Sequence, residues 1–174
     1  EPFKINSEEL QSIWDTLPEK EKNDYLNKMW RNFAINDTYE PGSTFKVITS
    51  AAGLEEKAVD LNSSFNCGSG RTVAGRHIKC WRSPRSHGTL NFVQGVQNSC
   101  NPVFIDVAAR LGPEKFYSYM KKFGFDRKTG IDLPGEAKGI MHKFENIGPV
   151  ELATMSFGQS FQITPLQLLR AISS

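Results

Sequence analysis

The 174-residue sequence predicts a mainly α-helical fold in one domain. Three observations support this fold class. Apolar residues recur at helical spacing along most of the chain, and several of these stretches begin with a capping residue, with or without Pro, and end at Gly. Strand-like segments are confined to residues 59–90. The composition, 39% hydrophobic and 23% charged, is that of a globular protein.

Three helices are predicted in the first third of the chain. Residues 8–17 follow Ser7 as the N-cap, residues 18–34 begin with Pro, and a third helix begins at Ser43 and ends near residues 53–54. The apolar faces of the first two helices consist of Leu10, Ile13, Trp14 and Leu17, and of Leu26, Met29, Trp30 and Phe33.

Helical patterning returns near residue 90. Residues 90–99 form one predicted helix, and Asn101 as N-cap with Pro102 at N1 begins another that ends before Gly112. The remaining helices are predicted over residues 112–124, 150–158 and 164–174, with residues 126–136 as a loop between them.

Residues 59–90 have a different character and are predicted to form a hairpin or an irregular loop. Glycines cluster there, and the short runs RTVAG and RHIKCW read as strands. Residues 66–90 contain five cations and no acid. Two interpretations of this charge stay open, a solvated loop or the surroundings of an anion or metal site.

The stretch YEPGSTFK places Lys46 three residues after Ser43, on the same face of one helical turn. A capping box would place Glu or Gln there, because a helix N-terminus favours negative charge. Positive potential and burial both lower the pKa of a lysine, and a neutral lysine can take the proton of a serine nucleophile. The sequence therefore predicts an acyl-transfer site, with Ser43 as an ordinary cap and Lys46 as a solvated lysine as the structural alternative.

A second signal is QNSCNP, residues 97–102. A hydroxyl at Ser99 can relay a proton, and an amide at Asn101 can orient both a substrate amide and Lys46. Helix capping by Asn101 is the structural alternative. A chance Ser-x-x-Lys at Ser118–Lys121 lies inside a predicted helix and is not assigned a role.

Cys67, Cys80, His87 and Cys100 are the ligands of a predicted structural Zn²⁺, because three cysteines and one histidine form a closed tetrahedral zinc site. Their spacing matches no standard zinc finger. His77 is a rival ligand, and free thiols are a further alternative. A metal here would hold Cys100, and with it Ser99 and Asn101, beside the nucleophile.

A net charge of only +2 argues against a nucleic-acid partner. No run of 18 apolar residues indicates a membrane span. Because the sequence begins abruptly at EPFKIN and ends within the helical pattern LLRAISS, we expect a fragment of a longer protein.

Four segments carry a resemblance to a known family: YEPGSTFK, NSCNP, TGIDLPGE and GQSFQITPLQLL. In order and spacing they resemble the transpeptidase domain of class B penicillin-binding proteins, over essentially all 174 residues. The stretches WRNFAINDTYEPGSTFKVITSAAGLEE and VQNSCNPVFID are similar to the sporulation-type branch of that family.

This resemblance implies a peptidoglycan D,D-transpeptidase that is also the target of β-lactams. Ser43 would be acylated by the D-Ala-D-Ala end of a stem peptide, with Lys46 as its base, Ser99 as proton relay and substrate contact, and Asn101 positioning Lys46 and the substrate. No cofactor takes part in the chemistry. The family further implies anchoring at the extracytoplasmic face of the membrane by an N-terminal segment, and wall-synthesis membrane proteins as partners.

The resemblance also sets limits and alternatives. The third motif of the family, Lys-Thr-Gly or Lys-Ser-Gly on a strand, is expected after Ser174, and Lys128–Gly130 belongs instead to the TGIDLPGE loop. We therefore expect the helical part of an α+β fold without most of its central sheet, inactive alone. A β-lactam sensor that is acylated without turnover is the alternative function. An extracytoplasmic setting favours a disulfide, Cys80 with Cys100, as the alternative to zinc.

Overall fold

The computed structural model describes residues 12–174, and helices make up most of its regular structure. The helices are α1 (Glu19–Trp30), α2 (Phe33–Asn36), α3 (Lys46–Glu55), α4 (Phe92–Gln97), α5 (Asn101–Leu111), α6 (Pro113–Lys122), α7 (Pro149–Met155) and α8 (Pro165–Ser173). Short 3₁₀ turns cover Trp14–Thr16, Gly42–Phe45 and Phe144–Asn146. The predicted mainly helical fold is confirmed.

Helix α5 lies at the centre of the core, in contact with α3, α6 and α7. Its side chains Val103, Phe104 and Val107 are completely buried. A helix with apolar residues on most of its surface is stable only when neighbours cover it on several sides. The second half of YEPGSTFK joins the same core, because Phe45 packs against Phe125 and Phe161 with ring centroids 5.4 and 4.8 Å apart.

Strands are few and short within the described residues, as predicted for residues 59–90. Strand β1 (Ser64–Asn66) pairs antiparallel with β4 (Thr89–Asn91), and β2 (Gly70–Val73) pairs antiparallel with β3 (Arg76–Lys79). The β2–β3 turn consists of Ala74 and Gly75 at φ +47° and +82°. Positive φ at both central residues matches the twist of a two-residue hairpin.

Two predicted helices differ from the structure. Of the predicted helix 8–17, residues 8–11 lie outside the described residues, residues 12–13 are helical, and Trp14–Thr16 forms a 3₁₀ turn. The predicted helix 18–34 is interrupted after Trp30, because the Asn32 side chain accepts from Ala34 N–H and begins the separate helix α2. The described residues leave much of the expected apolar face uncovered: Trp30 and Phe33 are 80% and 69% exposed, whereas Met29 is half-buried.

Helix α8 shows the predicted cap in full. Thr164 accepts from Gln167 N–H through its side chain, and the Gln167 side chain accepts in return from Thr164 N–H, with Pro165 in the first turn. Within residues 12–174, no helix combines the length and the apolar composition that crossing a membrane requires.

Candidate functional site

Ser43 lies in the 3₁₀ turn that leads directly into α3, and its side chain caps no helix. Close packing of Gly158 against Gly42 holds this turn in place. Gly42 N–H donates to Gly158 O at 2.8 Å, and a Cβ atom on Gly158 would collide with the Gly42 backbone. Amides in the first turn of a helix have no intrahelical acceptor, so the Ser43 N–H is available to an oxyanion.

Lys46 is buried, with 4% of its surface exposed, and its Nζ lies in a cage of oxygen atoms. It is 3.1 Å from Ser43 Oγ, 2.8 Å from both Ser99 Oγ and Ser99 O, and 2.7 Å from Asn101 Oδ1. The ring of Phe104 closes the cage, with its centroid 5.2 Å from Nζ. Lys46 is therefore not a solvated surface lysine.

Burial lowers the pKa of Lys46 from 10.5 to about 8, while the nearby thiols of Cys100 and Cys80 act in the opposite direction. A neutral amine donates two hydrogen bonds and accepts one. It can donate to the Ser99 carbonyl and Asn101 Oδ1, which are acceptors only, and accept from the hydroxyl of Ser43 or Ser99. The oxygen cage is thus compatible with the form of Lys46 that acts as a base.

Ser99 and Asn101 reach Lys46 from the turn between α4 and α5. Ser99 has φ +48°, a conformation that L-residues with a side chain rarely adopt. Asn101 was expected to be the N-cap of α5, and this is wrong: Cys100 occupies that position, and Asn101 is the first residue of the helix. Its amide oxygen accepts from Lys46 instead.

Cys67, Cys80, His87 and Cys100 lie together beside this turn, with their ligand atoms all within 4.8 Å of one another. His87 Nδ1 is 3.5 Å from Cys67 Sγ and 3.6 Å from Cys80 Sγ. Zn–S bonds of about 2.3 Å and Zn–N bonds of about 2.0–2.1 Å at the tetrahedral angle require S···N separations of about 3.5–3.6 Å. The donor set and its spacing therefore fit a zinc ion.

The three cysteines are buried, and the structure has no disulfide between them. Burial raises the pKa of Cys100 to about 12. Burial also acts to raise the pKa of Cys67, but hydrogen bonds from His87 outweigh it and hold that pKa at about 6. The rival ligand His77 lies elsewhere, with Nδ1 3.2 Å from Thr72 Oγ1.

Two contacts that the sequence did not indicate connect residues 66–90 to α5 and to the turn before it. The guanidinium of Arg71 on β2 pairs with both carboxylate oxygens of Asp106 on α5. The indole Nε1–H of Trp81 donates to Asn98 O at 2.9 Å. The available signal for the first was that Asp106 is the single acid of this helix and stands between the apolar residues Ile105 and Val107.

The two motifs that were not assigned a catalytic role, Ser118–Lys121 and Lys128–Gly130, lie away from Lys46. Ser118 is exposed on α6, and Lys121 Nζ lies over the ring of Tyr117. Thr129 and Gly130 belong to a loop in which their amides donate to the buried carboxylate of Glu136. These hydrogen bonds to Glu136 stabilise the conformation of the loop, which is a structural role.

Comparisons with known proteins agree on one family. The model of the penicillin binding protein transpeptidase domain matches residues 11–174. Stage V sporulation protein D of Bacillus subtilis is 48% identical over 83% of this chain and 22% of its own length. Peptidoglycan D,D-transpeptidase FtsI of Buchnera aphidicola is 33% identical over 83% of this chain and 25% of its own. The chain thus spans a quarter or less of these relatives.

Two solved structures are similar to this fold. The transpeptidase domain of Burkholderia pseudomallei penicillin-binding protein 3 has a TM-score of 0.77 and 28% identity, over 82% of this chain and 43% of that one. A peptidoglycan glycosyltransferase from Burkholderia ambifaria has a TM-score of 0.78 and 27% identity, over 83% of this chain and 45% of that one.

Proposed function

Because this chain belongs to the penicillin-binding protein transpeptidase domain family, we propose that it supplies the acylation centre of a peptidoglycan D,D-transpeptidase. The observation that carries the proposal is the contact of one buried lysine with two hydroxyls and an amide, from Ser43, Ser99 and Asn101. An amine in this position serves one hydroxyl as a base and the other as a proton donor.

In the acylation step, Lys46 takes the hydroxyl proton of Ser43 as Oγ attacks the carbonyl carbon of the penultimate D-Ala. The carbonyl oxygen becomes an oxyanion that the Ser43 N–H faces. When the tetrahedral intermediate collapses, the C–N bond breaks and the proton passes through Ser99 to the departing D-Ala nitrogen. Ser43 then carries the acyl group as an ester.

In the second step, an amine from a neighbouring stem peptide attacks the ester and loses a proton to the Lys46–Ser99 pair. The new amide cross-links two peptides, and Ser43 regains its proton. β-Lactams acylate the same oxygen. The identity with a sporulation protein supports a role in spore wall synthesis. We further infer that the parent protein is anchored at the extracytoplasmic face of the membrane, with wall-synthesis membrane proteins as partners.

We also propose that Cys67, Cys80, His87 and Cys100 hold a structural Zn²⁺. The S···N separations and the burial of all three thiols support this. Bound zinc cross-links residues of three segments that are distant in sequence. Since Cys100 lies between Ser99 and Asn101, fixing its sulfur restricts the turn from which both side chains reach Lys46.

The nucleophile is tested by treating the full-length parent protein with benzylpenicillin and locating the modified peptide by mass spectrometry. We expect an adduct on Ser43 that the Ser43→Ala variant does not form, and Ser118→Ala is the matched control. Continued labelling of Ser43→Ala would remove Ser43 as the nucleophile. Release of the acyl group by an added amine acceptor separates a transpeptidase from a sensor, whose acyl-enzyme persists.

A further inference from the structure

The Trp81 loop, residues 81–86 between Cys80 and His87, presents a large aromatic ring to solvent next to Ser99. Trp81 is 64% exposed. Its indole N–H is nevertheless held by Asn98 O, and its ring lies edge-on to His87 with centroids 5.4 Å apart. The side chain is therefore exposed but fixed in orientation, and a fixed aromatic loses little conformational entropy when a ligand packs on it.

The Trp81 loop and the adjoining strand β3 carry positive charge that the described residues leave unpaired. Of the five cations among residues 66–90, Arg71 pairs with Asp106. The other four are exposed and form no ion pair within residues 12–174: Arg76, Lys79, Arg82 and Arg85. A Cys₃His zinc site carries about one net negative charge, so these cations exceed what the proposed metal site would neutralise. Arg82 and Arg85 are the two of these cations that lie in the Trp81 loop, and their unpaired charge favours an anionic ligand there.

The position of the Trp81 loop next to Ser99 indicates which anionic ligand it binds. The hydroxyls of Ser43 and Ser99 both lie within 3.1 Å of Lys46 Nζ, so an acyl group on Ser43 begins beside Ser99. An acyl chain that leaves Ser43 on the Ser99 side passes close to residues 98–99, and Trp81 contacts that segment. An extended peptide advances about 3.3 Å per residue, so its second or third residue from the ester can reach the loop.

We propose that the Trp81 loop binds a carboxylate-bearing part of the acyl-donor peptide. This inference rests on the proposed transpeptidase function and names a specificity element for it. Trp81 supplies an apolar surface for the peptide chain, and Arg82 and Arg85 supply charge to a carboxylate on the N-terminal side of the scissile bond.

The test uses the full-length parent protein and synthetic donor peptides with a thioester in place of the scissile bond. One peptide carries a free carboxylate N-terminal to that bond, and the other carries its amide. For the Arg82→Gln/Arg85→Gln variant we expect the KM of the carboxylate peptide to rise about tenfold with kcat unchanged, and the KM of the amidated peptide to stay the same. The Lys20→Gln/Arg76→Gln variant makes the same change in net charge away from the loop, and we expect no effect.

Two Trp81 variants separate substrate contact from positioning of Ser99. Trp81→Ala is expected to raise KM for both peptides, whereas Trp81→Phe, which keeps a ring but loses the bond to Asn98, restores most of the binding. Equal effects of the two variants, or unchanged KM in the double arginine variant, would overturn the proposal. Absence of any Ser43 adduct in the wild-type protein would instead refute the proposed function, and the inference with it.

Discussion

The rate of Ser43 acylation should depend on pH through the protonation of Lys46. Burial disfavours the ammonium form and lowers the pKa of Lys46 to about 8, so the competent neutral amine increases as pH rises. At pH 7 about one molecule in ten then has a free amine, against about one in 3,000 at the ordinary pKa of 10.5. Burial therefore increases the neutral fraction of Lys46 at pH 7 roughly 300-fold.

The assay is the second-order rate constant for acylation of the full-length protein by subsaturating benzylpenicillin, which stays ionised throughout, between pH 6 and 9.5. We expect the rate to rise nearly tenfold from pH 6 to 7, reach half its maximum near pH 8 and level off above pH 9. A rate that is constant over this range, or that is still rising tenfold per unit at pH 9.5, would refute the role of the buried lysine.

Substitutions at Lys46 and at an exposed lysine supply the controls. Lys46→Arg keeps the positive charge but cannot lose its proton, so acylation should fall by about 10²–10⁴-fold and not recover at high pH. Lys121→Arg, in the other Ser-x-x-Lys sequence, should leave the profile unchanged because Lys121 is exposed on α6.

Three further predictions concern the support of the site. Gly158→Ala should slow acylation at least tenfold by displacing Gly42, whereas Gly130→Ala, with the same φ of +82° but open space around it, should leave the rate of Ser43 labelling nearly unchanged. Protein purified without chelator should contain about one zinc per chain, and Cys80→Ser should lose the metal and melt several degrees lower; less than about 0.2 zinc per chain by elemental analysis excludes the site. Arg71→Gln should cost about 1–2 kcal/mol in denaturant unfolding because it leaves the Asp106 carboxylate unpaired, whereas Arg76→Gln should cost almost nothing.

Local structure was predictable where a short segment contains its own hydrogen-bond partners. Thr164, Pro165 and Gln167 form the cap of α8 from four consecutive residues, and Gly112 ends α5 as expected. The placement of Lys46 one turn after Ser43 follows from helical geometry alone. These parts of the fold and the site depend on sequence neighbours only.

Two departures from the sequence predictions, one local and one between distant residues, arise where a side chain takes a hydrogen-bond partner that the residue pattern does not indicate. The break after Trp30 depends on the Asn32 side chain taking the amide of Ala34, an alternative that the apolar periodicity of residues 18–34 does not reveal. Asn101 has the residue type and the following proline of an N-cap, yet its amide bonds Lys46, 55 positions earlier. A capping preference of about 1 kcal/mol is outweighed by a bond to a buried amine.

The segment 98–101 explains why these long-range contacts occur together. Asn98 O accepts from Trp81, Ser99 accepts from Lys46 through both its oxygens, Cys100 joins the thiol cluster, and Asn101 accepts from Lys46. Ser99 holds φ +48° at a cost of about 1–3 kcal/mol, and glycine would avoid that cost but has no hydroxyl. Contacts on both sides of Ser99 offset the strain, so the cysteines and Trp81 maintain the geometry that the chemistry needs without touching the reacting atoms.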